Sequence, residues 1–160
     1  MKKKFIILFL LLILPIKVFA LIEVDITRGN LNPLPLAVSP LSIDDKSKKS
    51  FEKILKKENI GSEISTIVEN NLRTSGLFNP LSKEAFLQAP DIANLKPRFE
   101  DWNLIKAQAL ITGKVTYVDE KLRVEFRLWD ILAAKEMMAL AFTTVPSNWR
   151  RVGHIISDKV

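Results

Sequence analysis

The side chains able to do chemistry are few and poorly grouped. His154 is the one histidine and there are no cysteines. Transition-metal sites draw several ligands from those two residue types, so this composition argues against one. On a helix His154 would have Asp158 one turn away, an i, i+4 pair of modest energy. A general base also needs a nucleophile and an orienting acid, which this stretch does not supply. Asp44-Asp45 and Glu100-Asp101 are adjacent carboxylates. Hydrolysis by two acids needs them facing a cleft with separated pKa values. These pairs instead fall in polar connections or at a helix start, where acids complement the helix dipole. The five glycines are scattered singly, without a phosphate-cradling loop. Of the tryptophans, Trp102 and Trp149 lie on apolar faces, whereas Trp129 ends a strand out of phase with its apolar row and is the aromatic available for contact. No catalytic, metal or cofactor site is assigned.

The segment that places the protein is at its start. Lys2, Lys3 and Lys4 precede an apolar run from Phe5 to Ile16, shorter than the roughly 20 residues needed to span a bilayer. Val18 and Ala20 stand at −3 and −1 of a small-residue cleavage site. We read residues 1–20 as an export signal cut after Ala20, leaving a chain that begins LIEVDITRGN and does not span the membrane. Four of the 24 basic residues (Lys2, Lys3, Lys4 and Lys17) leave with it, so 20 face 18 acids and the net charge falls from +6 to +2. The apparent basicity belongs to the targeting segment and is no argument for nucleic acid. The remaining residues suit one domain with an ordinary packed core.

The elements that must position any site follow from periodicity. Ile22, Val24 and Ile26 alternate with Glu23, Asp25 and Thr27, a strand pattern ended by Gly29-Asn30. Leu34 to Leu41 reads as a second strand, with Pro35 and Pro40 confined to a strand end or a sheet edge. Residues 42–59 are lysine-rich with only Phe51, Ile54 and Leu55 at helical spacing, and read as a solvated loop. Ile64, Val68 and Leu72 mark an amphipathic helix, with Gly76 as its C′ residue and Leu77 closing onto Leu72. Asn79-Pro80 prevents the helix from resuming. A short helix is expected over 99–106, burying Phe99 and Trp102. Ile111, Val115 and Tyr117, then Leu122, Val124, Phe126 and Leu128, give two strands joined at Asp119-Glu120. Met138, Leu140 and Phe142 form the inward row of a third. Ser147 or Asn148 caps a last helix with Trp149, Val152 and Ile156 on one stripe. That helix runs to Val160 without a stop signal, so the chain reads as part of a longer protein.

In order, PLAVSPL, NNLRTSGLFNPLSKEAF, FEDWNLIKAQALITGKV, RLWDILAAKEM and VPSNWRRVGHIISDKV resemble the N-terminal domain of TolB proteins across nearly all of residues 21–160. The resemblance implies an α/β domain (α+β) with a mixed β-sheet, an antiparallel C-terminal meander and two main helices on one side, followed elsewhere by a β-propeller. It implies a periplasmic, non-catalytic adaptor of the Tol-Pal system that supports outer-membrane invagination during division and envelope integrity. Its partners would be the C-terminal domain of TolA, engaged by Leu21, Ile22, Glu23, Val24, Asp25, Ile26, Thr27 and Arg28, and Pal, engaged by the propeller. The lysine-rich 44–57 stretch departs from the family's usual connection. An alternating arm of this kind can add a strand to a partner's sheet, or complete its own. The alternatives are an exported envelope-assembly module of another system and a periplasmic carboxylate-dependent hydrolase.

Overall fold

The structure, a computed structural model, describes residues 32–91 and 96–160. The export signal and the 21–28 arm therefore lie outside the described residues. What is described is an α+β domain with a mixed six-stranded sheet, whose strands in chain order are β1 (Leu34–Val38), β2 (Ser42–Ile43), β3 (Phe78–Pro80), β4 (Ala109–Val118), β5 (Lys121–Asp130) and β6 (Lys135–Thr144); the sheet runs β3-β1-β4-β5-β6, with β2 also pairing β4.

The meander is the sheet's frame. β4 (Ala109–Val118), β5 (Lys121–Asp130) and β6 (Lys135–Thr144) pair antiparallel. Asp119 and Glu120, with φ of 49° and 59°, form the two-residue hairpin loop, whose left-handed backbone matches the twist of the flanking strands. Leu122, Val124 and Phe126 are fully buried, as the period-2 pattern predicts. On β6, Met138 and Phe142 pack against the core, but Leu140 remains 38% exposed because this edge strand is incompletely covered.

β1 (Leu34–Val38) lies inside the sheet, parallel to both β3 (Phe78–Pro80) and β4. Pro35 is tolerated there because it precedes the first β1–β4 pair, Leu36↔Ala109, so its missing N–H interrupts no ladder between them. β3 was not expected from Asn79-Pro80. It survives as a three-residue edge strand with proline at its end.

Residues 42–59 correct the loop reading. After the two-residue β2 (Ser42–Ile43), an eleven-residue helix α1 spans Asp45–Leu55. Asp44 caps it, its carboxylate accepting the Ser47 amide at 2.9 Å. Phe51 inserts fully into the core, edge-on to Tyr117 at 5.5 Å between ring centroids. The Ser47 hydroxyl donates to Asp44 and accepts the Tyr117 amide of β4 at 2.8 Å. One aromatic and one hydroxyl thus anchor a helix whose lysines mask it in composition.

α2 (Ile60–Thr74) carries the expected stripe, with Ile64, Val68 and Leu72 buried. It begins at Asn59, whose side chain accepts from the Ser62 amide. Gly76 has φ of 74°, and its amide donates to the Arg73 carbonyl, the inner bond of a Schellman stop. The outer bond is replaced: Leu72 O accepts the Ser75 hydroxyl, and the Leu77 amide donates to Ser75 Oγ. Leu77 is accordingly 57% exposed instead of closing over Leu72. α4 (Trp149–Ser157) lies against α2 and buries Trp149, Val152 and Ile156. Asn148 occupies its N-cap position, but its amide donates to Thr144.

Helices are not confined to one side. α3 (Phe99–Leu104) contributes the fully buried Trp102 to a second core with Ala37, Leu110, Trp129 and Ile131. The strand positions Ala37, Leu110 and Trp129 are out of phase with the main core row, so this cluster covers the opposite sheet face. Gln88 fastens it, its Oε1 accepting from Trp102 Nε1 at 2.7 Å and from the Arg98 amide at 3.0 Å.

Candidate functional site

Among the described residues, His154, Asp44 and Asp101 each make a structural contact. His154 faces Asn71 of α2, not Asp158: Asn71 Nδ2 lies 2.9 Å from His154 Nδ1 and also donates to Ser157 Oγ at 3.1 Å. The imidazole thereby joins α2 to α4. Asp158 meets His154 only through the backbone, its amide donating to the His154 carbonyl at 3.0 Å. Asp44 is a helix cap; hydrogen bonds from the Ser47 amide and hydroxyl hold its carboxyl below the usual aspartate range despite partial desolvation. Asp45 follows in the first turn of α1. Glu100 and Asp101 occupy the first turn of α3, where Asp101 receives Arg98 Nη2 at 2.6 Å.

Among the described residues, Glu69 is the other perturbed acid. Burial raises its pKa, yet hydrogen bonds and charge from Arg73 (2.8 Å) and Lys83 (3.1 Å) outweigh that and hold it low. Arg73 lies on α2 itself, so it is the Lys83 contact that ties α2 to the 3-10 turn at Lys83–Ala85. Trp129, read from the sequence as available for contact, is only 7% exposed. Its Nε1 donates to Thr112 Oγ1 at 2.9 Å and its ring meets Phe99 edge-on, because α3 covers that face. Among the described residues, no group of three or more His, Asp or Glu side chains is placed to hold a metal ion. No described helix is long and apolar enough to cross a membrane.

The surface with the character of an interaction site is where β1 begins. The Leu34 amide donates to the Leu77 carbonyl at 2.9 Å, fixing the entry into β1 beside β3. Next to it lies a hollow of about 220 Å³, lined by Leu34, Phe78, Leu128, Leu132, Met137 and Val160 among others. A second hollow of about 440 Å³ shares Phe78 and Val160 and is bordered by Leu77, Asn71, His154 and Ser157. Sequence reasoning did not find this surface. Its one local signal was Leu132, an apolar residue inside a turn.

The TolB amino-terminal domain family matches residues 22–137. The chain belongs to that family. It is 84% identical over 151 residues to the Tol-Pal system protein TolB of Pelagibacter ubique (strain HTCC1062), a match covering 94% of this chain. The same match covers 34% of the relative, so the chain spans about a third of that protein's length. Among solved structures, TolB from Acinetobacter baumannii superposes with a TM-score of 0.60 at 21% identity, over 79% of this chain and 27% of that one. At that identity the likeness bears on the fold alone, and the mixed sheet with its meander is common to the resemblance and the structure.

Proposed function

We propose that this chain is the amino-terminal part of a periplasmic, non-catalytic adaptor of the Tol-Pal system. Residues 1–20 direct export and are removed after Ala20. Residues 21–160 form the α/β domain, and a propeller follows Val160. The freed arm, Leu21 to Arg28, engages the C-terminal domain of TolA, while the propeller engages Pal. The pairing links the two in support of outer-membrane invagination and envelope integrity.

The observation that carries this reading is the 84% identity to a Tol-Pal system protein over nearly the whole chain. The arm's alternation supports it physically. Ile22, Val24 and Ile26 share one side of an extended strand, as a peptide adding to a sheet edge requires, its backbone supplying hydrogen bonds and its apolar row the selectivity. The non-catalytic part is supported by the contacts of three candidate residues: Asp44 caps α1, His154 joins α4 to α2, and Asp101 pairs with Arg98.

The test is genetic. In cells lacking their own TolB, the full-length gene should restore detergent resistance and normal division. The same gene lacking codons 21–28 should restore neither, at equal periplasmic level. Full rescue by the deletion would remove the arm from the function; no rescue by the intact gene would remove the Tol-Pal role.

A further inference from the structure

We infer that the open edge of β6, with the groove that α4 makes beside it, is a docking site for an extended segment of a partner protein that carries two apolar side chains and an Asp or Glu in one alternating row. The site is separate from the 21–28 arm and from the hollows around Val160.

β6 ends the sheet and is paired on one side only. Edge strands are ordinarily blunted by charge, proline or shortness. This one is ten residues long and has neither charge nor proline from Met137 to Thr144. The two-residue β4–β5 loop makes Val118↔Lys121 a hydrogen-bonded pair, and such pairs alternate along an antiparallel ladder. Leu122, Val124 and Phe126 therefore turn their backbone groups toward β6, where Thr144, Phe142 and Leu140 meet them. Ala139, Ala141 and Thr143 are left with N–H and C=O groups directed outward, the row that an added strand completes.

The side chains in phase with Met138 and Phe142 face the main core and its helices. On that side a hollow of about 300 Å³ lies between the end of β6 and α4, floored by Phe142, Val152 and Ile155. Thr144 closes one end by accepting the Asn148 side-chain amide at 3.1 Å. Arg151 is the single charge on the lining, and among the described residues no acid pairs with it. A strand laid about 4.8 Å outside β6 sends alternate side chains into this hollow. Two apolar ones cover the floor, and a carboxylate in the same row reaches Arg151, whose planar fork matches it.

That phase favours a partner over the chain's own segments. In a second copy the acid at the start of β6 is Glu136. Leu128 pairs with Met138 but Trp129 pairs with Glu136, a bulge that turns Glu136 to the other face, where it meets Arg127 at 3.5 Å. In the 21–28 segment Glu23 and Asp25 alternate with Ile22, Val24 and Ile26, so its acids and its apolar row point to opposite sides. Neither offers Arg151 a carboxylate from the row that fills the hollow.

Selection of displayed random decapeptides on the full-length protein tests this. Recovered peptides should share two apolar residues and an acid at i, i+2 and i+4. Ala141→Pro removes an outward N–H without touching the β5 ladder and should abolish their binding, whereas Ala141→Val should keep it, both with far-UV circular dichroism unchanged. Arg151→Glu should weaken binding about tenfold, the scale of an exposed ion pair turned repulsive, and the loss should shrink as salt is raised. No enrichment, or binding undiminished by either Ala141→Pro or Arg151→Glu, would overturn the inference. Enrichment only after deletion of residues 21–31 would give the groove to the arm, and a dimer that Ala141→Pro dissociates would give it to a second copy; either overturns it.

Discussion

Replacing Phe51 by alanine decides whether residues 44–55 are part of the core or a solvated connection. Phe51 is 0% exposed, lies among the main core residues, and meets Tyr117 edge-on at 5.5 Å and 79°. Phe→Ala changes in well-packed cores cost about 3–5 kcal/mol, the sum of lost transfer energy and the cavity left behind. The upper half of that range applies because the β4 face beneath cannot collapse. β4 is held between β1 and β5, and the Tyr117 amide is itself tied to Ser47. A domain of this size has about 5–15 kcal/mol in total, so one side chain from the lysine-rich stretch controls about a quarter or more of it. Urea unfolding of the chain from Leu21 onward, followed by tryptophan fluorescence, should show the midpoint falling steeply with the slope unchanged. Ile54→Ala, at a position 46% exposed, should cost less than half as much. A loss below about 1 kcal/mol for Phe51→Ala would refute the packing argument, because it would approach the roughly 0.5 kcal/mol expected of a surface substitution.

Asp44→Ala should lower stability at neutral pH by about 1 kcal/mol, the usual worth of an N-cap, whereas Asp44→Asn, also a good cap, should lower it by much less. Because the folded pKa of Asp44 lies below its ordinary 3.8, its stabilising effect is complete above that pH and is lost as pH falls through the folded value. Acid titrations of unfolding should therefore show the wild type and Asp44→Asn converging below pH 3.8. Gly61→Ala should destabilise by about 1–3 kcal/mol, as overpacking does, despite alanine's better helix propensity. A Cβ there would fall well inside contact distance of the Leu41 carbonyl oxygen, which is backbone and cannot swing aside; thermal unfolding measures the loss.

The parts legible in the sequence were those whose pattern is local. β4 and β5 alternate strictly and pair in the expected hairpin, and α2 shows both its stripe and its glycine stop. α1 was hidden because its decisive contacts are tertiary: Phe51 finds β4, and Ser47 finds the Tyr117 amide seventy positions away. Trp129 was misread for a related reason. Its strand position is out of phase with one core and in phase with another, and that second core is built by Phe86, Phe99 and Trp102 from a stretch with no clear period. The apolar hollows were the least legible of all, since Leu34, Phe78, Leu128, Met137 and Val160 meet only in three dimensions and one of them is turned by a bulge.

The central claim is that the arm, and not the folded body, captures TolA. Calorimetric titration of the TolA C-terminal domain into the full-length protein, with and without Leu21 to Arg28, measures this most directly. The account predicts binding to the intact chain, none to the deleted one, and competition by a free peptide of sequence LIEVDITR. Equal binding with and without the arm would contradict it.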